Sequence, residues 1–223
     1  MVLINGGGFG PSDNTNLLNS VTYGPSGYGY TASCSVVTHR QIRCHTVAGF
    51  GSDLKWTVTV GGQSSAVSTS VAHYAVAAIL AITPADVLTD GGTLITITGS
   101  HFALSASDVT AFVLWAEVET KLVIAESQTV TNTDTDEVVH LVKVVIPAGS
   151  GSIPVRVRLQ SGDGRVVVSD PFTFTYKAPV IARVVAAISY QGADPYLSLS
   201  ITGTSFGTNA VAYARCVFSS LTL

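Results

Sequence analysis

The sequence predicts an all-β protein with the architecture of a β-sandwich, and composition and periodicity together lead to this prediction. The chain of 223 residues contains 31 Val and 49 Ser plus Thr, but only 4 Lys and 4 Glu. β-Branched side chains suit a pleated surface, whereas Lys and Glu favour helices. Short segments of period-two alternation are separated by Gly and Pro turns, and no segment shows a convincing helical period. Many short strands with regular turns are typical of a sandwich.

One motif occurs three times and sets the layout of the chain. The pattern Ile-[Thr/Asn]-Gly-x-x-Phe-[Gly/Ala] occupies residues 4–10, 97–103 and 201–207. We expect the glycine to end a strand because it adopts backbone angles that other residues resist. The phenylalanine then caps the core with roughly 150–250 Å² of ring surface. A role in core and turn is favoured over a ligand site for the six residues concerned: Gly6, Phe9, Gly99, Phe102, Gly203 and Phe206.

Alternation predicts further strands on both sides of the middle motif. In the first part of the chain they are expected at 21–23, 30–37, 41–45, 56–60 and 68–74. In the middle part they are expected at 109–115, 121–124, 138–146, 153–159 and 172–176. In the last part they are expected at 179–184, 196–202 and 210–218. The core of the middle part is predicted to consist of Ile97, Phe102, Val155, Val157, Phe174 and Tyr176.

The order of motifs in the middle part resembles a known family. Ile79-x-x-Ile82-x-Pro84 precedes Gly91-Gly92 and the central motif, and Ile146-Pro-x-Gly149-x-Gly151 and Phe172-x-Phe174-x-Tyr176 follow it. This order is similar to the IPT/TIG family, the immunoglobulin-like domain of plexins, some transcription factors and many large extracellular proteins of protists and algae. His101 and Ala103 depart from the usual polar-Phe-Gly ending of the strand.

The resemblance implies an all-β fold of tandem immunoglobulin-like sandwiches, one complete and two partial. Residues 77–178 correspond to the complete domain. Residues 1–76 match from the strand of Ile4 onward and lack the opening strand, whereas residues 179–223 contain only opening strands. We refer to these three segments as the first, middle and third units.

Three cysteines bear on the cellular compartment. Cys34 and Cys44 lie on segments expected to form neighbouring strands, which favours a disulfide and an extracellular location. In the loop-entropy model this disulfide stabilises the fold by about 2–3 kcal/mol. His39 and His45 lie close by, but their spacing fits no common zinc pattern. Cys216 has no obvious partner and is either free and buried or paired outside this chain.

Other motifs give weaker evidence for a functional site. Gly6-Gly7-Gly8 has no Lys-Ser/Thr ending and no following helix, so it is not a phosphate loop. Asp134, Asp136 and Glu137 belong to no recognised calcium loop, and a solvated loop is favoured. No motif predicts a catalytic residue, metal or cofactor, and we expect a protein that is not an enzyme. No Asn-x-Ser/Thr sequon occurs, so any glycans are expected on Ser, Thr or modified Pro.

Charge and hydropathy exclude two classes of partner. The 11 basic residues are scattered and the net charge is −3, which argues against nucleic acid, because its binding depends on clustered Lys and Arg. The longest apolar run, residues 75–82, is far shorter than a membrane helix. The N-terminus shows no signal-peptide pattern, so the targeting sequence has been removed or the chain begins elsewhere than its natural start.

Three functions from different classes are compatible with these features. The preferred one is a non-enzymatic structural subunit of an extracellular fibre or cell-surface coat, assembled head to tail with copies of itself by strand complementation. The second is a ligand-binding or spacer segment of a large receptor-like or adhesive surface protein with tandem domains. The third is an accessory domain of a carbohydrate-active enzyme, which requires an attached catalytic domain.

Overall fold

The computed structural model describes residues 1–13, 17–103, 109–115, 120–131, 138–191 and 194–207. Every regular element within these ranges is a β-strand or an isolated bridge. The abundance of Val and Thr accounts for this, because their branched side chains restrict the first side-chain torsion in a helix and pack well in a sheet. The all-β class predicted from composition is confirmed.

The first unit is one sheet that folds around its own core. Its strands are β1 (Val2–Asn5), β2 (Leu18–Gly24), β3 (Tyr30–Thr38), β4 (Gln41–His45), β5 (Lys55–Val60) and β6 (Gln63–Ser64), in the order β1-β4-β3-β2-β5-β6. The beginning of β3 pairs with β2, and the rest of β3 pairs with β4. Because β3 belongs to both halves, side chains from β4 and from β2 and β5 meet in one buried cluster.

The middle unit is a sandwich of two sheets. Its strands are β7 (Ala78–Thr83), β8 (Leu94–Ser100), β9 (Val109–Trp115), β10 (Thr120–Leu122), β11 (Glu126–Thr131), β12 (Val138–Val145), β13 (Ser152–Ser161), β14 (Val166–Val168) and β15 (Phe172–Thr175). One sheet has the order β11-β12-β8-β7, and the other has the order β10-β9-β13-β14 with β15 also on β13. Inward residues of both sheets form one core, in which all six predicted residues are buried.

The described part of the third unit is a long hairpin. Strand β16 (Val180–Gln191) pairs with β17 (Asp194–Thr204) along their whole length. The sequence predicted a first strand at 179–184, about half this length. The predicted strand at 210–218 lies outside the described residues.

Other predicted strands need correction. No strand forms at 68–74, where only an isolated bridge joins Ala72 to Leu54. Here the Ser68 hydroxyl accepts a hydrogen bond from the backbone N–H of Trp56 at 2.9 Å and so replaces a regular ladder contact. Strands β11 and β14 were not predicted, because β11 is polar on both faces and β14 spans only three residues.

The glycine of the repeated motif serves a different purpose from the one predicted. Gly99 does not have a positive φ. Its missing side chain instead leaves room for the Phe102 ring, which a β-carbon at this position would overlap. The same holds at Gly6 and Gly203, where a β-carbon would lie 2.6 Å from a ring carbon of Phe9 and Phe206, respectively. The phenylalanine therefore folds back over the glycine three residues earlier.

The left-handed backbone of the motif lies two residues after this glycine. Gly8 has φ +78°, His101 has φ +58° and Ser205 has φ +60°. A β-carbon is tolerated poorly in this conformation. The middle and third units accept that cost at His101 and Ser205, whereas the first unit avoids it with Gly8.

Phe102→Ala tests the contribution of the ring over the glycine. We expect the free energy of unfolding of the middle unit to fall by about 3–5 kcal/mol, the usual range for emptying a buried Phe site. Chemical denaturation monitored by tryptophan fluorescence measures it. Phe206→Ala is the matched control because Phe206 is 41% exposed, and its effect should be a small fraction of that loss. Equal effects would contradict the assigned packing.

Gly8→Ala tests the left-handed position with little interference from packing. A β-carbon at Gly8 or at Gly7 meets no atom within 4 Å, but only Gly8 has a positive φ. Both substitutions restrict the unfolded chain equally. We therefore expect Gly8→Ala to be less stable than Gly7→Ala by about 1–2 kcal/mol, the cost of a β-carbon in this region. Equal denaturation midpoints would show that the loop relaxes to another conformation.

Candidate assembly sites

The outer edge of β1 is one candidate site. Within the described residues β1 pairs only with β4, so its other edge carries no strand. A groove of about 450 Å³ runs along this edge, lined by the four residues of β1, by Trp56 and by the segment 68–72. Leu3 is exposed in this strand, whereas Val2 and Ile4 pack against the core. An edge with unpaired backbone groups beside a groove is a place where another strand can add.

The middle unit shows which strand pairs with the equivalent edge there. β8 is equivalent to β1 in the repeated motif, and both pair with the equivalent neighbour: Ile97 lies opposite Val142, as Ile4 lies opposite Ile42. On its other side β8 pairs with β7. The edge of β1 is therefore the position of an opening strand of the β7 type.

The segment 68–72, which forms the second wall of the groove, also has an equivalent in the middle unit. The backbone N–H of Ser68 donates to the carbonyl of Trp56, and that of Ser169 donates to the carbonyl of Val157, both at 2.9 Å. In each case the serine hydroxyl accepts from the N–H of the same partner. In the middle unit, β7 lies against β13, which contains Val157. The groove of the first unit corresponds to the space that β7 occupies there.

The β16–β17 hairpin is the second candidate site. Its register repeats that of β7 with β8: Ile181 lies opposite Gly203 as Ile79 lies opposite Gly99, and an irregularity follows at the same point. The residues that come next differ in burial, since Ile82 is 7% exposed in β7 and Val184 is 55% exposed in β16. The hairpin is thus an opening hairpin of this fold without a covering second sheet among the described residues.

The hairpin is attached to the middle unit just beyond its end. The backbone N–H of Gly207 donates to the Thr89 hydroxyl at 3.2 Å. Thr89 is buried, and its carbonyl accepts a hydrogen bond from Gly149. This contact fixes the loop that carries Phe206 against the middle unit.

A joint of aromatic rings and one arginine connects the first and middle units. The Arg165 guanidinium lies 4.5 Å from the ring centroid of Tyr30 and 5.7 Å from that of Phe50. Its Nε donates to Asp163 Oδ2 at 2.7 Å, and the hydrogen bond from the Ser161 hydroxyl lowers the pKa of Asp163, as do those from Arg165. Phe50 packs into the core of the middle unit. No pattern in the sequence predicted this joint.

Matching tyrosines make similar hydrogen bonds in the first two units. The Tyr74 hydroxyl donates to the Val47 carbonyl at 2.5 Å, and the Tyr176 hydroxyl donates to the Pro147 carbonyl at 2.7 Å. Burial raises the pKa of both phenols, and the hydrogen bond between the Tyr23 and Tyr74 hydroxyls raises that of Tyr74 further. The two hydroxyls therefore remain donors, and each ties the last segment of its unit to a preceding loop.

The structure joins Cys34 and Cys44 directly. They lie opposite each other on β3 and β4 with their sulfurs 2.07 Å apart, and Cys44 is fully buried. Across the described ranges, no group of three or more His, Cys, Asp or Glu could hold a metal ion. The carboxylates Asp134, Asp136 and Glu137, as well as Cys216, lie outside the described residues. None of the described segments forms a helix long and apolar enough to cross a membrane.

Removal of the disulfide gives a test of its contribution. The double variant Cys34→Ala with Cys44→Ala should unfold with a free energy about 2–3 kcal/mol lower than the parent, because the unfolded chain regains the freedom of the closed loop. Urea denaturation with and without reductant measures this difference. The parent in reductant should approach the double variant, and an unchanged parent midpoint under full reduction would contradict the assignment.

Comparison with known proteins gives a match within the middle part of the chain. Residues 77–176 match the family model of the IPT/TIG domain. No curated protein matches the chain. Among solved structures, SGBP-B of the Bacteroides ovatus mixed-linkage glucan utilization locus, in complex with a mixed-linkage heptasaccharide, is similar with 17% identity and a TM-score of 0.29. The similarity covers 85% of this chain and 55% of that one, so this chain spans about half the length of that protein.

Proposed function

Because residues 77–176 form an IPT/TIG domain, we propose that the chain is a non-enzymatic structural protein of the cell surface or extracellular space. In this proposal, copies of the chain assemble head to tail by strand complementation into a fibre or coat. Immunoglobulin-like sandwiches serve many functions, so the proposal depends on the edges of this chain and not on the fold alone.

One observation carries the proposal: among the described residues, β1 has a neighbour on only one side, and no second sheet covers the β16–β17 hairpin. The groove lies on the other side of β1, and the hairpin exposes Val180, Ile181 and Val184. Apolar side chains and unpaired backbone groups on an exposed edge favour association with another strand. The hairpin could therefore supply the strand that would fill the groove beside β1.

Contact between two different surfaces determines the form of the assembly. A head that binds a tail is a heterologous interface, which leaves a free head and a free tail on every oligomer. Such contacts close into a ring or continue as a filament, depending on the rotation between copies. The Arg165 joint between the first and middle units favours a constant rotation, because the guanidinium, which is paired with Asp163 of its own unit, lies over the rings of Tyr30 and Phe50.

An extracellular location is supported by the disulfide and by the low charge of the chain. Disulfides persist in oxidising compartments and are rare where thiols are kept reduced. Charged residues make up only 11% of the sequence, against roughly 25% in an average soluble domain. We propose O-linked glycans as further partners because Ser and Thr are abundant and no sequon is present.

The oligomeric state of the chain tests the proposal. Residues 1–223 should form concentration-dependent oligomers in light scattering and elongated particles in electron microscopy, whereas residues 77–178 should remain monomeric. The shorter protein contains almost the whole middle core but neither candidate site. A monodisperse monomer of the full chain at millimolar concentration would contradict head-to-tail assembly and favour a spacer segment of a larger surface protein.

A further inference from the structure

We propose that the head-to-tail contact is the addition of β16 of one copy to the free edge of β1 in the next copy, parallel to β1, with β17 kept as the other neighbour of β16. The inference rests on the proposed function and identifies the strands, their direction and the side chains that enter the groove. The sheet of the first unit would then continue across the contact in the order β17-β16-β1-β4.

The lengths and surfaces of the edge strands select β16. Among the other described edges outside the hairpin, β6 has two residues, β10 and β14 have three each, β15 has four, β11 exposes mostly polar side chains, and β7 has six residues with Ile79 and Ile82 turned to the core. Such edges resist association. By contrast, β16 has twelve residues, and the side chains of Val180, Ile181, Val184 and Val185 are exposed in it.

The fold itself indicates that a strand like β16 fits beside β1. β7 occupies this position in the middle unit, and it places Ile79 and Ile82 toward the core. Ile181 and Val184 are their equivalents in β16 by register. A second copy of the chain therefore carries a strand with the apolar spacing that this position requires.

Charge decides which face of β16 enters the groove. The irregularity between Ile181 and Arg183 shifts the alternation of side chains by one residue. One face therefore carries Ile181 and Val184, as in the equivalent strand β7, and the other carries Arg183 and Val185. The groove is lined by β1, Trp56 and the segment 68–72, none of which contains a carboxylate. A guanidinium buried there would lack an ionic partner, which is costly. Ile181 and Val184 therefore face the groove, and Arg183 stays in solvent.

The direction of β16 follows from this choice. β7 runs antiparallel to β8 and contacts it with one edge. The corresponding edge of β16 is already occupied by β17. For β16 to pair with β1 through its opposite edge, with Ile181 and Val184 still facing the core, the strand must be rotated by half a turn about the normal to the sheet. This half-turn reverses the strand, so β16 runs parallel to β1.

Engineered disulfides test the faces of the two strands. Leu3 points away from the core of the first unit, as Arg183 and Val185 would in the added strand. We therefore combine Leu3→Cys with Arg183→Cys or Val185→Cys in a Cys216→Ser background, so that the introduced thiols are the free ones. At least one combination should give a ladder of covalent oligomers after mild oxidation, visible on non-reducing gels and lost in dithiothreitol. Neighbouring strands are about 4.8 Å apart, within reach of a disulfide.

The matched controls place the second cysteine on the opposite face. Leu3→Cys with Val184→Cys, or with Ala186→Cys, should yield at least tenfold less cross-linked product. A mixture of single variants, Leu3→Cys and Val185→Cys, should give dimers but no ladder, because each chain then carries only one thiol of the pair. Either single variant on its own should give no dimer, whereas a contact between two like ends would cross-link Leu3→Cys with itself or Val185→Cys with itself. This comparison separates a contact between head and tail from a contact between two like ends.

Light scattering of the same samples before oxidation separates failure of the inference from failure of the proposed function. Oligomers that form without cross-linking at Arg183 or Val185, or that cross-link preferentially at Val184 or Ala186, would overturn this arrangement and leave head-to-tail assembly intact. Absence of oligomers in the parent chain would overturn both. Circular dichroism of each variant should match the parent, since the positions that carry new cysteines on β1 and β16 are exposed or half-buried.

Discussion

The phenylalanine ring that lies over a glycine three residues earlier is the contact on which each unit depends. It places a large apolar surface at the end of the central strand and fixes the path of the chain after it. In the middle unit, the position of Gly99 is enclosed on two sides, by the Phe102 ring and by the carbonyl of Ala78 on the neighbouring strand. The ring, the central strand and the opening strand are therefore positioned together, so the order of the sheet is linked to the packing of the core.

The same contact occurs in three different environments. Phe102 is fully buried between two sheets, Phe9 is 7% exposed in the unit of β1, and Phe206 is 41% exposed beside the hairpin. In the part of the chain that the structure describes, β1 has one neighbour and the hairpin has no covering sheet. The local conformation is retained in all three, because the glycine, the left-handed residue and the ring are close in sequence. Covering of the motif depends on distant strands. The motif therefore keeps its local conformation whether or not other strands bury it. For this reason one chain can carry both an edge that accepts a strand, at β1, and a hairpin that can donate one, β16–β17.

The parts of the structure that were predicted correctly depend on local patterns. The strands at 41–45 and 109–115 were predicted with their observed bounds, and Ile97 and Phe102 were identified as core by alternation and by the motif. The segment 68–74 was predicted wrongly, because alternation cannot show that the Ser68 hydroxyl takes a hydrogen bond of the ladder. The role of Gly99 was misread for a similar reason: sequence does not reveal whether a glycine is needed for its φ or for space.

The candidate site was less accessible to prediction than the fold. The repeats indicated an unfilled strand position in the first unit, but not its groove or the length of β16. The Arg165 joint brings together side chains more than 100 positions apart, as its contact with Tyr30 shows, and no periodic pattern marks such a pair. Only the folded chain shows which edges remain open and which residues face them.

Rigidity between units determines what strand addition can build. A strand added at β1 transmits a fixed orientation only if the first unit is held against the middle unit and the hairpin is held at the opposite end. Arg165 between Tyr30 and Phe50 supplies the first connection, and the hydrogen bond from Gly207 to Thr89 contributes to the second. Cation–π contacts contribute about 0.5–2 kcal/mol, and the packing of Phe50 in the middle core adds to this. Any bending of a fibre would therefore occur mainly at the least rigid of these contacts, whether it lies between copies or within one copy.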